Sequence, residues 1–180
     1  LFLSLFVFMI KLQNITKSFK DKKALDNLSL NVNSGEIYGL LGANGAGKST
    51  ALNLLLGFLE ADSGLIKITN SKDHPITTDM IGYIPENVNL YPYLSGIENL
   101  DYFCRISGLI FNSSKLEDLL NECGLENDSH HKKTSEYSKG MRQKVGIAIA
   151  LAKNANIYLL DEPASGLDPM ASNELSVILK

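Results

Sequence analysis

The chain has 180 residues, 44% hydrophobic and 21% charged, with a formal net charge of −3. That balance fits one α/β domain with a substantial core and excludes a disordered or fibrous chain. It provides no global basic field, so no nucleic-acid partner is expected. The two cysteines, Cys104 and Cys123, are too few for a disulfide scaffold and read as buried structural thiols.

The first ten residues, LFLSLFVFMI, are apolar except for Ser4. Crossing a bilayer takes about 20 such residues. No basic segment precedes the run and no small-residue cleavage site follows it, so a signal peptide does not fit. Met9 opens MIKLQNITKSF, an alternating segment that reads as a first strand. Residues 1–8 are therefore expected to be a mis-extended leader, with fragmentation of the chain as the rival explanation. Further strands are predicted at ALDNLSLNV and EIYGLL, separated by polar turns at KDKK and NSGE. EIYGLL runs into a glycine loop and the helical pattern STALNLLLGFL, and GLIKIT and MIGYIP follow as two more strands. IENLDYFCRISGL and SKLEDLLNECGL then carry apolar residues at helical spacing, each stopped by a glycine, and read as a helical insert. The helix MRQKVGIAIALAKNA, the strand IYLLDEP and a last helical pattern, MASNELSVILK, close the chain. His74, His130 and His131 lie in polar stretches without metal-ligand spacing and are expected to be solvated.

Residues 42–50, GANGAGKST, satisfy G-x-x-x-x-G-K-[ST] between a predicted strand and a predicted helix. Gly42, Gly45 and Gly47 allow the backbone through Asn44 and Ala46 to turn successive N–H groups inward as an anion nest. The helix that starts there, through Thr50, adds its positive end. Lys48 supplies a charge to β/γ-phosphates, and Ser49 a hydroxyl to Mg²⁺, which takes oxygen ligands. IYLLDEP places an apolar strand directly before two carboxylates, at the end where ligands collect in open α/β sheets. Asp161 is the expected Mg²⁺-side acid. Glu162 is the expected group that orients or deprotonates water attacking a γ-phosphate.

GANGAGKST, YSKGM, IYLLDEP and SGLD together resemble, in order and rough separation, the nucleotide-binding subunits of ATP-binding cassette (ABC) transporters. The resemblance runs from about Met9 to Lys180. It implies a P-loop NTPase fold: a RecA-like α/β core with a small antiparallel β region and an α-helical insert. The corresponding division is 9–85 and 136–180 for the ATP-binding core and 86–135 for the helical subdomain. It also implies ATP with Mg²⁺, a head-to-tail homodimer or paired cassette, a separate integral-membrane permease, and a cytoplasmic location on the inner face of the membrane. Ser138 and the Gly140 amide would touch the γ-phosphate held by the partner's loop. Phe19 would stack on adenine, with core packing as its plainer reading. Glu86, where the family usually has Gln, would face Mg²⁺ or the attacking water. Asp168 would touch the opposite subunit.

The signature keeps only the serine and second glycine of the usual LSGGQ, a variant that resembles exporter-type cassettes. The family's switch histidine lies on a later strand than any in this sequence, so the chain is similar to a cassette without its last core strands. A motor subunit of an exporter is the leading expectation. A nonhydrolysing ATP-binding remnant is the alternative. DNA-repair relatives carry a long coiled coil between loop and signature, and no sustained heptads occur here.

Overall fold

The computed structural model describes residues 8–70, 74–77, 80–165, 167 and 169–178. It divides into two units, Leu1–Thr78 and Asp79–Lys180. The apolar segment of residues 1–7 and the site residue Asp168 lie outside the described residues.

In the first unit, β1 (Phe8–Phe19) is the middle strand of an antiparallel sheet, flanked by β2 (Lys22–Val32) and β3 (Ser63–Asn70). The strand thus begins one residue before Met9. Its alternation buries Ile10 and Leu12 and then changes phase to bury Ile15. The cause is a bulge: both pairings of β1 shift register just after Leu12 or Gln13, and Asn14 takes a left-handed φ of 52°. One extra residue moves every later side chain to the other face. Ser29 across the strand holds the bulge, since its hydroxyl accepts from Asn14 N at 2.9 Å and donates to Asn14 Oδ1 at 3.1 Å. Asp62 ties down the far end of the strand by accepting from Lys17 Nζ at 2.9 Å and Ser18 N at 2.6 Å. The Lys17 bond, more than any other cause, keeps the Asp62 carboxyl below its ordinary range.

α1 (Lys48–Leu55) buries Ala51, Leu54 and Leu55. It stops short of the predicted STALNLLLGFL because the chain turns at Gly57, whose φ is +74°. The strand expected over residues 36–41 does not form. Ile37 and Leu41, which alternation would send to one face, are 88% and 94% exposed. A strand exists only where a neighbour takes up its N–H and C=O groups, and among the described residues no strand pairs with this run.

In the second unit, β4 (Ile81–Ile84) and β5 (Ile157–Leu160) pair in parallel with Ile84 opposite Leu160. α5 (Lys139–Ala152) packs on β4 and on two helices of the insert, α2 (Gly96–Ile106) and α3 (Ser113–Glu122). Ile84, Leu100, Leu120, Val145, Ile147 and Ala148 form the centre of one cluster and are at most 1% exposed. Gly146 lets α5 come close, since a Cβ there would stand 2.5 Å from a Val88 methyl. α2 begins with a capping box. Ser95 Oγ accepts from Glu98 N while the Glu98 carboxylate accepts from Ser95 N, and that backbone bond holds the Glu98 carboxyl low. The short α4 (Asn127–His130) and a 3₁₀ turn at Thr134–Glu136 lead back to α5, and α6 (Pro169–Ile178) follows β5. Lys144 links three of these elements, donating to Gly124 O after α3 at 2.8 Å and pairing with Glu174 of α6 at 2.7 Å.

Two buried polar side chains in this unit, Asn99 and His130, have partners that polarity of sequence does not reveal. Asn99 is fully buried, accepting from Tyr91 N at 2.8 Å and donating to Ser95 O at 2.9 Å. His130, expected in solvent, is 2% exposed, with its Nε2 3.0 Å from Leu125 O. The helix that NDSH forms turns the ring inward, where a backbone carbonyl satisfies it. His74 and His131 are exposed as expected. Cys104 and Cys123 are buried, and burial pushes their thiols up to about 11 and about 12.

Candidate functional site

The phosphate loop belongs to the first unit. Ala46 N donates to Ala43 O at 3.0 Å, closing a turn around Asn44 and Gly45. Gly47 then enters α1 as its N-cap at φ +93°. Only glycine fits there, because a Cβ would stand 2.3 Å from Ala24 O and 2.7 Å from Leu25 Cδ2. The loop is thus seated on β2, and the first turn of α1, with Ser49 and Thr50, rises from it. Lys48 folds back, its Nζ donating to Gly42 O at 2.9 Å and Ala43 O at 3.2 Å. Those bonds draw the ammonium across its own loop, where a phosphate oxygen can compete for the same hydrogens. The exposed amides, the helix end and the ammonium give this concave turn one sign of potential.

Phe19, at the end of β1 in the same unit, is 46% exposed, so its ring is not core. Lys17 Nζ lies 5.7 Å from the ring centroid. A half-exposed, electron-rich ring suits a planar ligand better than interior packing does.

The acidic group belongs to the second unit. Because β4 and β5 run parallel and end in register, Glu86 and the Asp161–Glu162 pair leave the same end of adjacent strands. Asp161 N continues the ladder by donating to Ile84 O at 2.9 Å. The chain bends sharply at Glu162, a non-glycine residue at φ 45°, and Ser165 N donates to Glu162 O at 2.9 Å. A left-handed residue of this kind costs about 1 kcal/mol or more and persists where surrounding contacts enforce it. Burial first, and the Asp161 carboxylate second, push the Tyr83 phenol up. The structure therefore brings Glu86, Asp161 and Glu162 to one strand edge. It adds a contact that sequence reasoning missed: Ser165 Oγ donates to Glu86 Oε1 at 3.4 Å. The only signal for it was that Ser165 belongs to the loop after the acidic strand.

Ser138 and Gly140 sit at the start of α5 in this unit. Ser138 is the N-cap, accepting from Met141 N at 3.2 Å, and it is exposed. The plainer helix-capping role is thus present. Arg142 donates to Tyr137 O, which fixes the chain entering the helix.

A glycine loop that enters a helix through a left-handed residue, a lysine folded over it and an acidic strand end are the parts of a P-loop NTPase. Comparison with known proteins agrees and narrows the class. The family model for ABC transporters matches residues 25–165, and the chain belongs to that family. It is 36% identical over 172 residues to the lantibiotic transport ATP-binding protein SrtF of Streptococcus pyogenes, covering 96% of this chain and 74% of that one. It is 37% identical over 170 residues to the bacitracin transport ATP-binding protein BcrA of Bacillus licheniformis, covering 93% and 55%. The uncharacterized ABC transporter ATP-binding protein YhcH of Bacillus subtilis is 36% identical, and this chain spans only 57% of its length. Among solved structures, the dimeric cassette MJ0796 superposes with a TM-score of 0.80 at 30% identity, covering 94% of this chain and 81% of that one. A post-hydrolysis dimer of the same cassette, bound to ADP and Pi, gives 0.79 at 29% identity, covering the same shares of the two chains.

Proposed function

We propose that this chain is the ATP-binding and ATP-hydrolysing motor subunit of an ABC exporter. The observation that carries the reading is the phosphate loop, with Gly47 forced into a left-handed cap by β2 and Lys48 drawn over Gly42 and Ala43. In this reading Gly42, Asn44, Gly45, Ala46, Gly47 and Lys48 cradle the phosphates, with Thr50 in the helix turn behind them. Phe19 stacks on the base. Glu162 and Glu86 handle the attacking water, and the hydroxyl of Ser165 orients Glu86. Ser49, Asp161 and Glu86 offer only oxygen donors, the set that Mg²⁺ takes. Mg²⁺ would neutralise charge developing on the phosphates. Ser138, Gly140 and Asp168 serve the partner's nucleotide in a head-to-tail dimer, an arrangement that draws support from the dimeric state of the MJ0796 cassette.

Residues 9–85 and 136–180 form the ATP-binding core in this proposal, and 86–135 the helical subdomain that engages a separate permease at the inner face of the membrane. No helix among the described residues is long and apolar enough to cross a bilayer. The relatives named for lantibiotic and bacitracin transport support the exporter reading.

One observation favours a second reading, ATP binding without turnover. Residues 36–41, which lead into the phosphate loop, pair with no strand among the described residues and are largely exposed, so the described residues do not give the loop the strand support expected of a motor. Measuring ATP affinity and phosphate release on the same preparation decides between them. Binding with release establishes the motor; binding without release establishes the second reading; no binding removes both.

A further inference from the structure

Lys22 reads in sequence as part of the polar turn KDKK, but the structure gives it a specific neighbour. It opens β2, the strand whose Ala24 and Leu25 lie directly against Gly47 of the phosphate loop. Its Nζ stands 3.7 Å from the position that a Cβ on Gly45 would occupy. Three other lysines of this unit are engaged. Lys17 pairs with Asp62 at 2.9 Å, Lys23 pairs with Asp26 at 3.0 Å, and Lys48 donates to Gly42 O and Ala43 O. Among the described residues, Lys22 has no such ion-pair partner.

We propose that Lys22 is a second phosphate-binding cation, reaching the polyphosphate chain of the nucleotide from the Gly45 side of the loop. This rests on the ATP reading above. The physical reason lies in how the loop is seated. β2 presses on Gly47 from beneath, so the residue at the start of β2 is carried to the rim of the amide nest. A lysine is suited to that rim: its ammonium is a point charge on a flexible stem and can follow the phosphates without the fixed geometry an arginine needs. Lys48 meets the phosphates from within the loop and Lys22 from its edge, so the two charges act on different oxygens. Because Lys22 is exposed, solvent and salt screen it, and its contribution is smaller than that of Lys48.

The test compares ATP, ADP and AMP affinities, each across a range of salt, for the 180-residue chain and its K22Q, K22R, K23Q and K48A variants. Lys22→Gln is expected to weaken ATP binding about three- to ten-fold, the range for a charged contact at a screened site, and to flatten its salt dependence. AMP affinity should hold, because a single phosphate does not extend along the rim. Lys22→Arg keeps the charge but not the flexible point-charge geometry, so it should lose less ATP affinity than Lys22→Gln. Lys23→Gln should match the parent chain, since that ammonium is committed to Asp26. An unchanged melting temperature for K22Q excludes a folding effect. A K22Q variant with parental ATP affinity beside a weakened K48A overturns the role of Lys22 and leaves the ATP reading standing; so does an equal loss for ATP and AMP. A parent chain that binds no nucleotide overturns the ATP reading and this inference with it.

Discussion

Two short runs in this chain have nearly the same grammar and opposite fates. EIYGLL in the first unit and IYLL in the second are both apolar and both lead into a motif. Yet Ile37 and Leu41 are 88% and 94% exposed, whereas Leu159 is 7% exposed and its strand pairs residue for residue with β4. The difference is not in the residues. β5 has a parallel neighbour, β4, on which α5 packs, and residues 36–41 have no strand neighbour among the described residues. Strand character is a relation between segments, and a single run of sequence states only half of it.

The largest test of that contrast concerns Glu162, whose position depends on the paired strand. Glu162→Gln should lower phosphate release about 10²- to 10⁴-fold while ATP still binds. The trapped nucleotide should cause an ATP-dependent dimer to accumulate on size-exclusion chromatography. A release rate equal to that of the parent chain removes Glu162 from the chemistry.

Next in size is the packing of the second unit. Leu100 is fully buried, and Leu100→Ala should cost about 2–5 kcal/mol in denaturant unfolding. The two thiols make that loss visible by region, since Cys104 and Cys123 both lie in this unit. With burial raising them to about 11 and about 12, both stay protonated at neutral pH, and alkylation should report opening of the second unit. Leu100→Ala should speed it. The sign of the pH effect follows: a raised folded-state value leaves stability intact below the unfolded thiol's ordinary range near 9 and erodes it as pH climbs toward 11 and 12. A labelling rate that stays the same in Leu100→Ala would show that the thiols open independently of this core.

Lys48→Ala acts on the other region. It should weaken ATP binding by about ten-fold or more through loss of a charge-assisted contact, without changing the alkylation rate of either cysteine. A folded variant with parental affinity would contradict the assignment of the loop.

The motif residues were legible because their chemistry is local. Eight consecutive positions make the phosphate loop, and the Gly47 requirement follows from one backbone angle and one clash. The gathering of Glu86 with Asp161 and Glu162 was half legible. The strand ends could be located, but the parallel pairing that joins them spans many residues of helix and cannot be read from either segment alone. Ser165 on Glu86 and Lys22 beside Gly45 were illegible for the same reason. His130 failed differently: a polar stretch looked solvated, and only the turn of α4 put the ring against Leu125 O. The bulge at Asn14 leaves no mark in the alternation of MIKLQNITK, while the buried set moves from Ile10 and Leu12 to Ile15.

The smallest effect sharpens the comparison most. Ile37→Thr keeps a β-branched side chain and changes only its polarity, so it leaves strand propensity nearly intact while removing apolar surface. At a residue 88% exposed there is almost no burial to lose, and the unfolding free energy of the 180-residue chain should move by less than about 0.5 kcal/mol. Leu159→Ala, at a residue 7% exposed in the paired strand, should cost about 2 kcal/mol or more. Equal costs at the two positions would mean that residues 36–41 are packed in solution, which would return the run to the sheet and restore the strand support that the phosphate loop of a motor needs.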